Sequence, residues 1–279
     1  MATPRALICS SHTISGVMPG GPVPSRHRFA QRVEACAKAG YSGMCLHFRD
    51  YGWQRNAGLS DEALRDTLER NGMRDISLEF LVDWFLTGAA GEQARADETT
   101  AYQAAHAYGA KSLNVGSDFR GRGIAPTTLR ARFRELCERA GERGLSIALE
   151  IVAWSDVRDV DTALAVIDGI PNAGLVIDTW HVFRGGIALI DIERIPPEKI
   201  LCVQVNDAAS ETLGDLASDT LRRKPCGEGS FDLSGFLASL DRTGSQIPLS
   251  VEIISKEFAA LDLQTAARKS HDTASSLLI

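Results

Sequence analysis

The sequence has no long apolar run, no paired cysteines and no excess of positive charge, and each absence excludes a class of protein. No apolar stretch approaches the roughly 18 residues that a membrane-spanning helix needs. Acidic residues outnumber basic ones by 36 to 30, giving a net charge of -6, which argues against a nucleic-acid-binding surface. The opening MATPRALICS lacks the basic-then-apolar layout of a signal peptide. We therefore expect no membrane and no nucleic acid among the partners.

The cysteines and the overall composition indicate an ordinary globular protein in a reducing compartment. The six cysteines form no CxxC pair and are sparse for 279 residues, so we expect them to be reduced and the protein to be cytoplasmic. Apolar residues at 44% and charged residues at 24% exclude disorder, collagen and coiled coil as interpretations of the whole chain.

Eight short apolar runs of strand length recur along the chain. They cover residues 6–10, 42–47, 76–81, 112–116, 145–151, 174–179, 201–205 and 249–254. Most are separated by segments with helical periodicity, and this alternation implies parallel strands with right-handed crossovers. The turn after the first run, SSHTISG, offers no GxGxxG, which argues against a doubly wound sheet. The pattern predicts an α/β protein: a single (β/α)8 TIM barrel domain over residues 1–279.

Polar residues at the strand ends are the first candidates for a site, because active sites of such barrels lie at the carboxyl ends of the strands. These residues are His47, Glu79, Asn114, Glu150, Asp178, Gln204 and Glu252. A single carboxylate there often caps a helix or pairs with a basic neighbour. Four consecutive strand ends with oxygen ligands are harder to explain that way, and no lysine or arginine occupies a matching strand position. A divalent cation is the most economical partner for these buried carboxylates.

Several motifs in the second half of the chain resemble one known family. They are LEIVAW (149–154), IDTWH (177–181), VQVND (203–207), PCGEGSFDLSGFL (225–237) and SVEIIS (250–255). Together they resemble the sugar phosphate isomerase/epimerase group of xylose isomerase-like barrels. The resemblance implies that Glu150, Asp178, Gln204 and Glu252 hold a metal ion. The third position is more often histidine in that family, and some similar dehydratases acting on 3-dehydroshikimate also carry glutamine there.

The ligand set implied by the resemblance favours particular metals and one type of chemistry. An all-oxygen shell suits Mn²⁺ or Mg²⁺ better than Zn²⁺, and Co²⁺ and Zn²⁺ remain open. A metal between Glu150 and Glu252 suits proton abstraction alpha to a carbonyl through a metal-stabilised enediolate. His181 is the candidate acid for the oxygen that is reprotonated or leaves. Its alternative is a buried histidine bonded to a backbone carbonyl.

Three functions follow from these residues. The first is a metal-dependent isomerase or epimerase of a keto-sugar or related polyhydroxylated carbonyl compound, in carbohydrate metabolism. The second is a dehydratase (lyase) of the 3-dehydroshikimate or inosose type, in which a hydroxyl leaves after the same abstraction. The third is a non-catalytic sugar-binding barrel. The residues do not decide whether the substrate is phosphorylated.

Further residues are predicted to contact the substrate or to shape its surroundings. Predicted substrate-binding residues are His47, Glu79, Asn114, Trp154, Asp207 and Arg223. Gly227 and Gly229 are expected to let the loop before the last strand turn with positive φ. The loop RDYGWQRNAG, with Trp53, is a candidate lid. The tail from Phe258 is expected to form the eighth helix and to close the barrel bottom or join a second subunit, so a homo-oligomer remains open.

Overall fold

The predicted barrel is present, closed by eight parallel strands. A computed structural model describes residues 5–278; residues 1–4, which begin the segment analysed for a signal peptide, lie outside this range. The strands are β1 Leu7–Ser10, β2 Gly43–His47, β3 Asp75–Leu81, β4 Ser112–Val115, β5 Ser146–Glu150, β6 Ala173–Asp178, β7 Ile200–Val205 and β8 Leu249–Val251. Each pairs in parallel with the next, and β8 pairs with β1. This confirms the fold class.

Helices surround the barrel and fill the intervals between strands. They are α1 Ser11–Ile14, α2 Phe29–Ala39, α3 Phe48–Asn56, α4 Asp61–Arg70, α5 Gly88–Tyr108, α6 Pro126–Gly141, α7 Val160–Ile167, α8 Thr179–Gly185, α9 Leu189–Ile192, α10 Leu216–Asp219, α11 Leu233–Thr243, α12 Lys256–Ala259 and α13 Leu263–Ser275. The last of these is the predicted tail helix, and it packs against α2 and β1. The Tyr41 hydroxyl donates to Ser270 Oγ at 2.8 Å across the contact between α13 and the end of α2.

The helices begin and end at the capping residues that the sequence indicates. Ser60 caps α4, accepting a hydrogen bond from the backbone N–H of Ala63 at 3.1 Å. Gly40 and Gly109 end α2 and α5 in the left-handed conformation, where glycine carries no steric penalty. These caps fix where each chain segment turns back towards the next strand. The strand ends therefore gather on one face of the barrel.

One segment differs from the prediction. The segment predicted as a lid loop around Trp53 is helix α3, capped by His47, whose Nδ1 accepts from the backbone N–H of Arg49 at 3.2 Å. Helix α8, which carries His181, likewise follows its strand directly and is capped by Asp178. Both helices begin directly at a strand end, so a side chain that ends a strand also caps a helix.

All six cysteines are buried and free. Within residues 5–278, no helix is both long and apolar enough to cross a membrane.

Candidate active site

A cavity of about 220 Å³ opens at the carboxyl ends of the strands. Seven of the predicted site residues line it: Glu79, Glu150, Trp154, His181, Gln204, Arg223 and Glu252. They come from β3, β5 and the segment after it, β7, helix α8 and the segments that flank β8, so only the closed barrel brings them together. A larger groove of about 950 Å³ lies among the outer helices and contains none of the predicted residues.

Glu150 and Asp178 form the centre of the site together with His181. Glu150 ends β5 and Asp178 ends β6, and both side chains are buried. One potential ligand atom from each of Glu150, Asp178 and His181 lies within 4.8 Å of the other two. Carboxylates this close repel one another unless a positive charge or a proton lies between them. The geometry therefore provides a possible metal site.

The hydrogen bonds of His181 indicate which of its nitrogens carries the proton. Nδ1 accepts from the backbone N–H of Ala153 at 3.4 Å, and Nε2 lies 3.3 Å from Glu150 Oε1. In a neutral imidazole, an Nδ1 that accepts requires the proton on Nε2. An Nε2–H group can donate a proton but cannot simultaneously bind a metal. This assignment favours an acid role for His181 over a ligand role.

Asp178 is held rigidly by its neighbours. Its Oδ1 accepts from the backbone N–H of Trp180 at 2.7 Å and from Asn206 Nδ2 at 3.0 Å. Because these donors fix the carboxylate in one orientation, its second oxygen, Oδ2, points at the remaining site residues. Asn206 thus orients Asp178, a role the sequence did not indicate.

Gln204 supplies an oxygen with no protein partner. Its Oε1 is buried and accepts no hydrogen bond from residues 5–278. A buried amide oxygen without a partner costs free energy, so this atom needs a ligand. Gln204 lines the same cavity as Glu150 and Glu252. Its oxygen is therefore suited to a bound cation.

Arg223 lies between two of the predicted ligands. Its Nη1 is 2.7 Å from Asp178 Oδ2 and 2.6 Å from Glu252 Oε2, and the side chain is buried. These two carboxylates, together with Glu150, raise the pKa of Arg223, although burial opposes its charge. The sequence argument considered only strand positions and so missed this positive charge, which comes from the segment between β7 and β8. Arg223 is a neighbour of the carboxylates as well as a predicted substrate contact.

A serine that the sequence argument missed connects two more carboxyl groups. Ser10 Oγ ends β1 and lies 2.9 Å from Glu79 Oε1 and 3.0 Å from Glu252 Oε1. Burial raises the pKa of Glu79 to about 7, against hydrogen bonds from Cys45 and Ser10 that lower it. Burial also raises the pKa of Glu252 well above its usual range, against the lowering effect of Arg223. Burial therefore makes both carboxyl groups weaker acids than free glutamate.

Three predicted substrate-binding residues lie outside the cavity lining, which corrects their expected placement. His47 caps α3 and borders a neighbouring pocket of about 220 Å³. Asn114 lies buried within the barrel, where its Nδ2 contacts the sulfurs of Cys45 and Cys202. Asp207 accepts hydrogen bonds from the backbone N–H groups of residues 208, 227, 229 and 231. Its carboxylate holds the loop and has no free oxygen to offer a substrate.

Aromatic side chains wall one side of the cavity. Trp154 lies 5.2 Å, ring centre to ring centre, from His181, and Phe80 stacks on Phe119 at 5.9 Å. His12, in helix α1 directly after β1, also lines the cavity, and burial lowers its pKa to about 4. It is neutral at pH 7. The position of His12 directly after the first strand is the signal that could have identified it.

Comparison with known proteins establishes the family. Residues 33–276 match the family model of xylose isomerase-like TIM barrels. The chain belongs to this family, which confirms the resemblance drawn from the motifs.

Individual relatives include enzymes of more than one type. The chain is 37% identical over 157 residues to the 3-dehydroshikimate dehydratase of Pseudomonas aeruginosa, covering 53% of this chain and 23% of that enzyme. It is 29% identical over 143 residues to the inosose isomerase of Halalkalibacterium halodurans, covering 50% of each. The matches thus span half or less of these relatives. A solved IOLI protein with a binding zinc atom has the same fold, with a TM-score of 0.85 and 19% identity over 98% of both chains.

Proposed function

We propose that this chain is a divalent-metal-dependent isomerase or epimerase that removes a proton alpha to the carbonyl of an uncharged, polyhydroxylated ketone. One observation carries the proposal: Glu150, Glu252 and the unpartnered oxygen of Gln204 line one small cavity, and Asp178 lies beside it, with an oxygen within 4.8 Å of one from Glu150 and a link to Glu252 through Arg223. Binding alone does not require several carboxylates to be buried together at the cost of their mutual repulsion.

The residues fit a divalent cation. Glu79, Glu150 and Glu252 line the cavity with Asp178 beside them, and Arg223 is the only lysine or arginine in the lining among the described residues. These four carboxyl groups outnumber the single guanidinium, so the site can accommodate a divalent ion, and the oxygen of Gln204 still needs a partner. Glu150, Asp178, Gln204 and Glu252 would hold the ion, and four oxygen ligands favour Mn²⁺ or Mg²⁺. Because the solved IOLI protein binds a zinc atom, Zn²⁺ is included among the metals tested.

The side chains divide the proton transfers between them. When bound, the cation would polarise the carbonyl and stabilise the negative charge that develops there. Glu252 takes the alpha proton, since burial raises its pKa well above the usual range of a glutamate and so makes it a stronger base. Glu150 carries a proton into this step and gives it to the same carbon on the opposite face, so that one proton is taken from the substrate and one is returned. The Nε2–H of His181 donates a hydrogen bond to the substrate oxygen and keeps its proton. Trp154, Phe80 and Phe119 keep water away from the reacting carbon.

The charge of the lining favours an uncharged substrate. Arg223 is already bound to two carboxylates, and His12 is neutral at pH 7. Apart from the proposed metal ion, a substrate carboxylate would find no unpaired cation among the described lining residues, and the glutamates would repel it. An inosose, which is a cyclic polyhydroxylated ketone without a carboxylate, fits this lining better than 3-dehydroshikimate.

A dehydratase is the second candidate. The 37% identity to the Pseudomonas aeruginosa dehydratase, against 29% to the inosose isomerase, favours it. Both reactions begin with the same proton abstraction and differ in whether a beta-hydroxyl then leaves.

Incubation with an inosose, a keto-sugar panel and 3-dehydroshikimate in deuterated water separates these functions. The proposal expects deuterium in the product without loss of water. A conjugated ultraviolet chromophore formed from 3-dehydroshikimate would establish the dehydratase instead. Stoichiometric metal without turnover of any of these ketones would favour the sugar-binding barrel. Absence of stoichiometric Mn, Mg, Co and Zn from purified protein, with no metal uptake, would overturn the metal-dependent proposal. Cytoplasmic location and a homo-oligomeric state remain predictions.

A further inference from the structure

A second cavity lies beside the one that holds the candidate active site. Each has a volume of about 220 Å³, and His12 and Pro19 belong to the walls of both. Each alone is smaller than the roughly 300–1,000 Å³ that small-molecule sites usually provide, whereas the two together reach this range. A ligand that fills both cavities is therefore larger than one that fills the first alone.

A loop that is held at both ends forms the roof of this second cavity. At its base, the carbonyl oxygen of Ser15 accepts a hydrogen bond from the backbone N–H of Arg26 at 3.0 Å. The guanidinium of Arg26 donates to the carbonyl oxygens of residues 259 and 261, both at 2.8 Å. Residues 17–24 lie between these anchors and line the cavity. Because its base is fixed, the loop keeps these residues at the cavity.

The wall of the second cavity is largely apolar and carries no unpaired cation. Valine, methionine and proline side chains of the roof contribute to it together with Trp53, which is 49% exposed. Among the described residues, Arg49 is the only lysine or arginine of this wall, and it is bound to Asp97 Oδ2 at 2.7 Å. An anionic group would therefore find no free positive charge there.

Two histidines of the same wall have nitrogens that need partners. His47 Nδ1 accepts from the backbone N–H of Arg49, so in the neutral ring Nε2 carries the proton. Within residues 5–278, neither that N–H group nor the ring of His12 has a hydrogen-bond partner. Burial lowers the pKa of His12 to about 4 and that of His47 to about 3, so both rings are neutral at pH 7. A ligand that covers them has to offer uncharged polar groups, because unpaired nitrogens would cost affinity.

We infer that the second cavity binds an uncharged sugar ring, so that the substrate is a glycoside of a polyhydroxylated ketone. The inference rests on the proposed function and names its substrate class more narrowly. The C–H faces of a sugar ring suit Trp53 and the prolines, and its hydroxyl groups suit the two histidines. An aryl or alkyl group would cover the histidine nitrogens without pairing them. The ketone stays in the first cavity, and the glycosidic bond lies where the two cavities share His12 and Pro19.

Binding of uncharged sugars to Mg²⁺-loaded protein tests the inference by calorimetry. The probes are fructose and myo-inositol, together with lactulose and galactinol, which carry an additional galactose on fructose and on myo-inositol. We expect at least one of the two glycosides to bind at least about fivefold more tightly than its parent, because the added ring stacks on an aromatic face. If neither glycoside binds more tightly than its parent, or if none of the four probes binds, the inference is wrong. A protein that takes up no divalent metal would instead overturn the proposed function together with the inference.

Trp53→Ala removes the aromatic part of the wall. It is expected to weaken binding of the preferred glycoside at least about fivefold and to leave the affinity for the parent sugar unchanged. Leu59→Ala is the matched control, since Leu59 is an exposed apolar side chain outside both cavities, and it should preserve both affinities. An unchanged affinity of Trp53→Ala for the glycoside, or an equal loss for glycoside and parent, would contradict the inference.

A measurement on the unaltered chain covers the case in which Trp53→Ala does not fold. In saturation-transfer NMR of the preferred glycoside with Mg²⁺-loaded protein, the galactose protons are expected to receive saturation as strongly as those of the parent unit. Saturation confined to the parent unit would show that the added ring stays in solvent. That result would overturn the second subsite and leave the proposed function standing.

Discussion

Among single residues, Glu252 tests the proposed proton transfer most directly. Glu252→Gln keeps the size of the side chain but removes the group that accepts the alpha proton. Loss of a general base lowers kcat by about 100-fold or more, so we expect both turnover and deuterium incorporation to fall by at least this factor. Glu228→Gln, which changes an exposed glutamate paired with Lys269, is the control and should retain activity. Equal rates for both variants would rule out Glu252 as the base.

Glu79 gives a pH dependence of stability. Its side chain is 2% exposed, and burial raises its pKa from 4.5 to about 7 in the folded chain. Below pH 4.5 both the folded and the unfolded states bind the proton, so nothing is lost. Between about pH 4.5 and 7 only the unfolded state releases it, and the free energy of unfolding falls with rising pH.

The size of this effect is measurable by denaturant unfolding in chelator. The shift of about 2.5 pH units corresponds to about 3 kcal/mol lost across the window. We expect Glu79→Gln, which has no proton to release, to flatten this part of the profile. A variant whose stability falls between pH 4.5 and 7 as steeply as that of the unaltered chain would show that another group is responsible.

At the scale of elements, the loop after β7 depends on the close packing of Gly229 against residues 207 and 208. Gly227 has a φ of 79°, as the sequence predicted, but Gly229 has no positive φ. Gly229 is needed for a different reason: a Cβ there would collide with Ala208 O and Asp207 Oδ1. Because these atoms belong to the hydrogen-bonded core of the loop, they have little freedom to move.

Replacement of this glycine therefore has a predictable cost. We expect Gly229→Ala to lower the free energy of unfolding by about 1–3 kcal/mol, the usual range for overpacking. Gly52→Ala is the matched control, since nothing lies within 4 Å of its Cβ position in helix α3. It should be neutral or stabilising by up to about 1 kcal/mol, because alanine favours helix. Thermal unfolding of both variants provides the comparison, and equal midpoints would contradict the steric argument.

The elements also show what the sequence can and cannot reveal. All eight strands were predictable, because a strand buried on both faces is a short apolar run between turns. Glu150, Asp178 and Gln204 followed from their places at strand ends. Arg223 did not emerge as the partner of the carboxylates, since a long connection sets its position and only tertiary contacts decide where it folds. The role of Asp207 in holding the loop was not predictable either, because three of its four backbone donors lie twenty or more residues away in the sequence.

At the scale of the whole molecule, the metal site lies where many separate segments of the barrel meet. Its proposed ligands come from β5, β6, β7 and the end of β8, so an unfolded chain cannot hold them together. A metal that binds only the folded state stabilises it by about 2.7 kcal/mol when its concentration is 100 times Kd. For a domain of this size, each kcal/mol corresponds to about 2–4 °C in Tm.

We therefore expect saturating Mn²⁺ to raise the Tm of metal-free protein by about 5–10 °C, and EDTA to reverse the rise. Glu150→Gln removes a ligand from the centre of the site and should reduce the shift strongly, while its metal-free Tm remains measurable as a reference. Glu62→Gln, on the exposed start of helix α4, should preserve the full shift. An equal Mn²⁺ shift in all three proteins would place the metal elsewhere on the molecule, because a ligand stabilises the fold only through the residues that bind it.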